Sequence, residues 1–301
     1  MTKILQMLKP GDLVEVIAPA SRCSEDDLST LRCLLTSWNL ECIIEKDIFG
    51  DDLLCANNDE NRFNLLKKAL FRKETKAIIC ARGGYGSMRL IPNLLKLSPP
   101  QTPKFFIGMS DITALNLFFQ QQWGWSCIHG ALNSIKYSNA SIQAVKAMLF
   151  GEVSTVEFNG VPMNAHAETD NIIEATMTGG NLCLIQSSIG SAWQMDARNK
   201  IVLLEEIGER GYRIDRMLEQ LIQSKILDGA LAIFIGDMIG GNEPNGDSKI
   251  EPVLERFAET CEIPVARFHG VGHGHTNFPV PLGTNVSLQL GSNIRCTCST
   301  N

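Results

Sequence analysis

Phe105-Phe106-Ile107-Gly108-Met109-Ser110-Asp111-Ile112-Thr113 runs from an apolar strand through a glycine into a stretch of helical character. The same order recurs upstream. Lys76 to Cys80 leads into Ala81-Arg82-Gly83-Gly84-Tyr85-Gly86, and Leu13 to Ala18, entered from Pro10-Gly11-Asp12, is stopped by Pro19-Ala20-Ser21. Between these runs the apolar period changes. Leu28, Leu31, Leu34 and Leu35 within 25–37, and Phe63, Leu65, Leu66, Ala69 and Leu70 within 59–71, recur at three and four residues, the spacing of amphipathic helices. Strands alternating with helices build a parallel sheet covered on both faces, so an α/β fold is expected.

Past Phe150 the texture changes, with Gly151, Gly160 and Pro162 interrupting short pieces until about Asn171. The expected organisation is an amino-terminal domain over 1–155, a linker over 156–174 and a carboxy-terminal domain over 175–301. In the second half a strand is predicted at 200–204, a helix at 215–224, a strand at 230–235 and a Gly- and Pro-rich tail from Gly270 to Gly283. No internal repeat or low-complexity tract interrupts this order.

Composition narrows the function. Of 301 residues, 44% are hydrophobic and 20% charged, ordinary for a packed globular protein. The net charge of −6, with no basic stripe to follow phosphates, argues against nucleic acid as a partner. The apolar patch at Ile4, Leu5, Met7 and Leu8 is short and lacks the cleavage pattern of a signal peptide, and no apolar run reaches the ~20 residues of a membrane span. A cytoplasmic protein without a membrane partner is expected. Ten cysteines are scattered, and Cys296-Thr-Cys298 has neither a second pair nor a nearby histidine, so reduced and mostly buried thiols are expected rather than a zinc site.

Ser110 falls where the strand turns into a helix. Such a turn lifts a side chain clear of the sheet and aims the first helical N–H groups at whatever it attacks. The match to G-x-S-x-G is partial, because Ile112 stands at the second glycine; Ser110 as a plain helix cap is the alternative. Gly83, Gly84 and Gly86 permit close backbone approach, yet they follow neither the dinucleotide nor the P-loop spacing. That loop is read as a substrate or oxyanion loop, or else as a simple turn.

Five histidines make the search for a base short: His129, His166, His269, His273 and His275. His273 lies in a Gly- and Pro-pinned loop, Gly272-His273-Gly274-His275-Thr276-Asn277-Phe278-Pro279, where catalytic groups are often carried. No carboxylate within Gly270–Gly283 completes a metal site there. A structural hydrogen-bonded histidine is the alternative. A base acting on Ser needs a carboxylate to set its tautomer. Glu205 and Glu206 close the apolar run Ile201-Val202-Leu203-Leu204, and because strand side chains alternate, only one of them can share the face of the other groups. Parity does not say which, and solvated strand-end charges are the alternative for both.

Taken in order, these segments resemble the LD-carboxypeptidase family, the S66 serine peptidases that include muramoyltetrapeptide carboxypeptidases and microcin-immunity peptidases. The likeness runs almost end to end. It includes Lys9-Pro10-Gly11-Asp12, Ala18-Pro19-Ala20-Ser21, Asp59-Glu60-Asn61-Arg62, Ala81 to Gly86 with Arg89-Leu90, Ile107 to Thr113, and His129-Gly130. It continues through Thr178-Gly179-Gly180-Asn181, Leu204-Glu205-Glu206, Tyr212 to Leu218, Gly272-His273 and Pro281-Leu282-Gly283. The resemblance implies a flavodoxin-like amino-terminal domain, joined to a smaller, swivelling β-rich domain. It implies Ser110 as nucleophile, His273 as general base, Glu205 as its orienting carboxylate, and an oxyanion or substrate site at Gly83, Gly84, Tyr85 and Asp111. It also implies no metal or organic cofactor, a peptide substrate such as a murein tetrapeptide, and a homodimer. Glu206 stands where the family usually has Asp, and two further departures from the family pattern, Met109 and Ala131, bear on pocket shape. A peptidyl-nucleotide substrate, or a non-catalytic binder of peptide or sugar nucleotide, is the rival reading.

Overall fold

The computed structural model describes residues 5–300; Ile4 of the amino-terminal apolar patch lies outside the described residues. The first half runs β1 (Leu13–Ile17), α1 (Glu25–Ser37), β2 (Glu41–Ile44), α2 (Asp59–Phe71), β3 (Thr75–Cys80), α3 (Ile91–Leu94), β4 (Phe105–Ile107), α4 (Thr113–Phe118), β5 (Cys127–His129) and α5 (Asn139–Leu149). The two helices read from periodicity form where Ser24 and Asn58 cap them, each side chain accepting an N–H of the first turn. Their apolar stripes, Leu28, Leu31 and Leu35 in α1 and Leu65, Leu66, Ala69 and Leu70 in α2, are buried.

The second half continues β6 (Thr155–Pro162), β7 (Ile172–Asn181), α6 (Leu182–Ser188), β8 (Lys200–Ile207), α7 (Gly211–Gln223), β9 (Ala232–Ile239), α8 (Ile250–Thr260), β10 (Val265–Phe268), β11 (Val280–Leu282), β12 (Asn285–Gln289) and β13 (Ile294–Ser299). The fold is mixed α/β with two sheets. The first has the order β11-β5-β4-β3-β1-β2, with β1 to β5 parallel and β11 antiparallel at the edge. Its parallel part follows the order 2-1-3-4-5 of one doubly wound class. The second closes as a barrel, β10-β6-β13-β12-β7-β8-β9.

Two features lay beyond the sequence pattern. The stretch read as a linker, 156–174, holds most of β6, which pairs with β13 and β10. Inward positions alternate along that strand, but only Phe158 is buried, and Gly160 and Pro162 break the apolar run that would announce a strand. Within the Gly- and Pro-rich tail, β11 returns to the first sheet, with Val280 opposite His129.

Three apolar clusters hold these layers. One lies under α1 and α5, one fills the barrel, and one is shared. The shared cluster joins Leu66, Phe106 and Phe118 from the sheet side to Leu182, Val202, Leu218 and Leu254 from the barrel side. Among the described residues no helix is long and apolar enough to cross a membrane.

Candidate active site

The loops leaving the carboxyl ends of β1, β3 and β4 meet, and ligands of doubly wound sheets sit at such ends. Ser110 opens a short 3-10 turn, Ser110–Ile112, after an extended Met109. Its φ is 63°, a left-handed backbone that costs a residue with a Cβ about 1 kcal/mol or more. The turn is closely packed because Gly108 lets Ile112 sit against it; a Cβ at 108 would lie 2.5 Å from Ile112 Cγ2. The tightness that G-x-S-x-G draws from its second glycine comes here from the first.

Gly83 presses directly on this turn. A Cβ there would lie 2.7 Å from Ser110 Cβ and 3.1 Å from its Oγ. Gly84, with φ of 102°, packs on Ser21, whose N–H donates to the Gly83 carbonyl at 3.2 Å and whose Oγ accepts the Tyr85 N–H at 3.0 Å. The Tyr85 ring is exposed. Asp111 points away from the serine. Its buried carboxylate accepts the N–H groups of Gly86 at 3.2 Å and Ser87 at 2.8 Å, so its side chain braces the glycine loop. What Asp111 can still present toward Ser110 is its backbone.

Geometry gives the two carboxylates different partners. Both glutamates lie within β8 and are buried, so neither is a solvated strand-end charge. Pairing of β8 with β9 shifts register between Leu204 and Glu206, an irregularity of the kind that re-aims side chains near sites. Glu205 Oε2 lies 2.7 Å from His273 Nδ1, with both side chains buried. Glu206 turns to the start of α6, accepting the Cys183 N–H and the Asn181 side-chain amide, each at 2.8 Å. Burial raises both carboxyls. For Glu205, contacts with His129 and His273 outweigh burial and hold it at about 2, whereas Glu206 stays above the usual carboxylate range.

The loop of His273 is fastened to the serine turn. Gly272, with φ of 131°, donates its N–H to Asn277 Oδ1 at 3.2 Å. The Asn277 amide reaches Met109 Sδ at 3.1 Å, and its N–H donates to Ser141 Oγ at 2.8 Å. Glu205 and His273 are thus brought together, as are Gly83 and Ser110. The hydroxyl of Ser110 makes no hydrogen bond to His273 or to any other group among the described residues.

Two buried side chains escaped the sequence reading of the site. Arg62 sends Nε to the Asn57 carbonyl at 2.9 Å and Nη1 to the carbonyls of Gly86 and Pro19, pinning the glycine loop from below. His129 closes β5 with Nε2 3.5 Å from Glu205 Oε1. The argument that singled out Glu205, a polar residue closing an apolar strand, applies equally to His129 after Cys127-Ile128. His166 and His275 are not part of this group, and His269 contacts Asp237 at 3.6 Å instead.

Residues 14–130 match the family model described as the LD-carboxypeptidase N-terminal domain, and residues 174–288 that of the LD-carboxypeptidase C-terminal domain. A Rickettsia conorii protein assigned by name to the carboxypeptidases is 38% identical over 280 residues, covering 91% of this chain and 87% of that one. The murein tetrapeptide carboxypeptidase of Pseudomonas aeruginosa is 27% identical over 299 residues, covering 94% of each. In fold, the chain is similar to the crystal structure of muramoyltetrapeptide carboxypeptidase from Oxalobacter formigenes, with a TM-score of 0.80, 24% identity, and 95% and 98% of the two chains covered.

Proposed function

The chain belongs to the LD-carboxypeptidase family, and on that premise we propose that it is a serine carboxypeptidase releasing terminal D-alanine from murein tetrapeptides. Ser110 is the nucleophile, His273 the general base and Glu205 the carboxylate that sets the imidazole's tautomer. The Ser110 hydroxyl attacks the carbonyl of the L-configured centre and passes its proton to His273 Nε2. The backbone N–H groups of Asp111 and Gly84 hold the oxyanion, while Gly83 and Tyr85 line the substrate. His273 returns the proton to the departing amine, and water then hydrolyses the acyl-enzyme.

The observation that carries this reading is the left-handed backbone of Ser110. A serine bears that strain between β4 and α4, beside a loop whose buried imidazole meets the Glu205 carboxylate of β8. The open hydroxyl fits a resting enzyme, because catalytic hydrogen bonds often tighten only when substrate binds. We place the enzyme in the cytoplasm as a homodimer acting in peptidoglycan recycling.

The test is D-alanine release from a murein tetrapeptide by the wild type and by Ser110→Ala. Release by the wild type alone is expected, and equal release by both would remove Ser110 from the role. A parallel assay on a peptidyl-nucleotide separates the microcin-immunity type of substrate. Binding of either compound without turnover would favour a non-catalytic binder.

A further inference from the structure

His129 is fully buried, and neither of its ring nitrogens has a partner in hydrogen-bonding geometry. Leaving a buried polar group in that state is destabilising, so its retention calls for a reason. Its surroundings supply one. Gly180, with φ of 136°, passes so close that a Cβ there would lie 3.1 Å from His129 Nδ1 and 2.6 Å from Thr113 Oγ1. That edge of the ring is closed by backbone. The opposite edge, Nε2, faces Glu205 Oε1, the one carboxylate oxygen that His273 does not use and that has no other hydrogen-bond partner.

Resting on the reading of Glu205 and His273 given above, we propose that His129 is a positioning residue which, protonated at Nε2, holds Oε1 of Glu205 so that Oε2 stays aimed at His273. A carboxylate with one oxygen free can rotate away from its imidazole. Gripped at both oxygens in a dry pocket it cannot, and its charge is favoured over its protonated form. The lowered Glu205 carboxyl agrees with that grip. The groups acting on Glu205 are His129 from β5, His273 from its loop and Glu206 on its own strand, with Lys136 and Tyr137 ahead of α5 felt at longer range.

The experiment compares D-alanine release by the wild type, Ser110→Ala, His129→Phe and His129→Gln across pH. His129→Phe removes the donor, and kcat falls about tenfold or more with KM little changed, the scale set by outer residues that orient a histidine or carboxylate. The acidic limb of its kcat/KM profile moves to higher pH, because charge no longer shared with His129 is left to His273, which keeps its proton the more firmly. His129→Gln, whose amide nitrogen reaches the place of Nε2, recovers most of the rate and returns the limb. If His129→Phe does not fold, His129→Gln against His129→Asn makes the comparison, since the Asn amide stops short of the carboxylate; Gln is expected to be the faster. A His129→Phe profile merely scaled down without moving, or variants as active as the wild type while Ser110→Ala is dead, would overturn the positioning role alone. Activity retained by Ser110→Ala would overturn the nucleophile and this inference with it.

Discussion

Ser110 and Glu205 both stand toward the ends of parallel strands, and opposite kinds of force hold them there. Ser110 is set by the chain immediately around it: a three-residue strand, a glycine that admits Ile112, and a strained backbone left without a hydrogen bond for its hydroxyl. Glu205 is set by residues far away in sequence, buried between His129 and a histidine 68 positions further on. The serine turn is strained and open. The carboxylate is enclosed and held charged by its histidine neighbours.

The largest expected effect comes from breaking the enclosed half. Glu205→Gln keeps the shape of the side chain but removes its charge, and the proposed role predicts that kcat for D-alanine release falls about 10³–10⁴-fold, the scale for a triad carboxylate made neutral. Glu206→Gln should leave kcat within about tenfold, because its partners belong to the start of α6. Equal losses from the two, measured under saturating substrate, would erase the distinction between them.

The same pair should separate in the pH dependence of stability. Glu205 lies below its ordinary value of 4.5, at about 2, so its contribution is present above 4.5 and lost as pH falls through that window. On the order of 3 kcal/mol is at stake for a carboxyl lowered that far. The advantage of wild type over Glu205→Gln in urea midpoint should therefore shrink as pH falls from about 4.5 toward 2. Glu206 lies above its ordinary value, so its contribution is present at acid pH and is lost as pH rises through its folded value. Opposite slopes for the two glutamine variants are expected, and parallel slopes would show that burial governs both.

This contrast also sets what could be read from the chain. β1, α1, α2, β3, β4 and the serine turn were legible because each is decided by neighbours a few residues away, in apolar period and in the placing of glycine and proline. The choice between Glu205 and Glu206 was not legible from alternation, because it depends on a register shift against β9. Barrel closure was hidden too: β6 buries only Phe158 and finds its partner β13 near the carboxy-terminal end of the chain. His129 stood out only as one of five histidines and as part of a motif, since it faces Glu205 across the boundary between sheet and barrel.

A smaller effect tests the open half from outside. Gly83→Ala would place a methyl 2.7 Å from Ser110 Cβ and 2.8 Å from the Met109 carbonyl, and one of them must yield. Overpacking of this kind costs about 1–3 kcal/mol. A shift of the nucleophile by about 1 Å costs about 10²-fold in rate. The variant is expected to fold, with a lowered thermal midpoint and a kcat depressed more than KM is raised. A wild-type kcat would mean that the two turns are not in contact in solution.

The smallest effect bears on the strain itself. Ser110→Ala and Ser110→Gly both lack the hydroxyl and should release no D-alanine, so they differ only in how they tolerate the backbone at 110. In a helix interior alanine is the more stable by about 1 kcal/mol. At a φ of 63° the order should invert, because the clash between Cβ and carbonyl that costs roughly 1–2 kcal/mol per residue is absent in glycine. Part of that gain is taken back by the greater freedom of glycine in the unfolded chain. Ser110→Gly is therefore expected to exceed Ser110→Ala by about 0.5–1 kcal/mol in urea denaturation at neutral pH. If alanine proved the more stable, the serine turn would hold no strain, and Ser110 would be kept in place by the same kind of packing as Glu205.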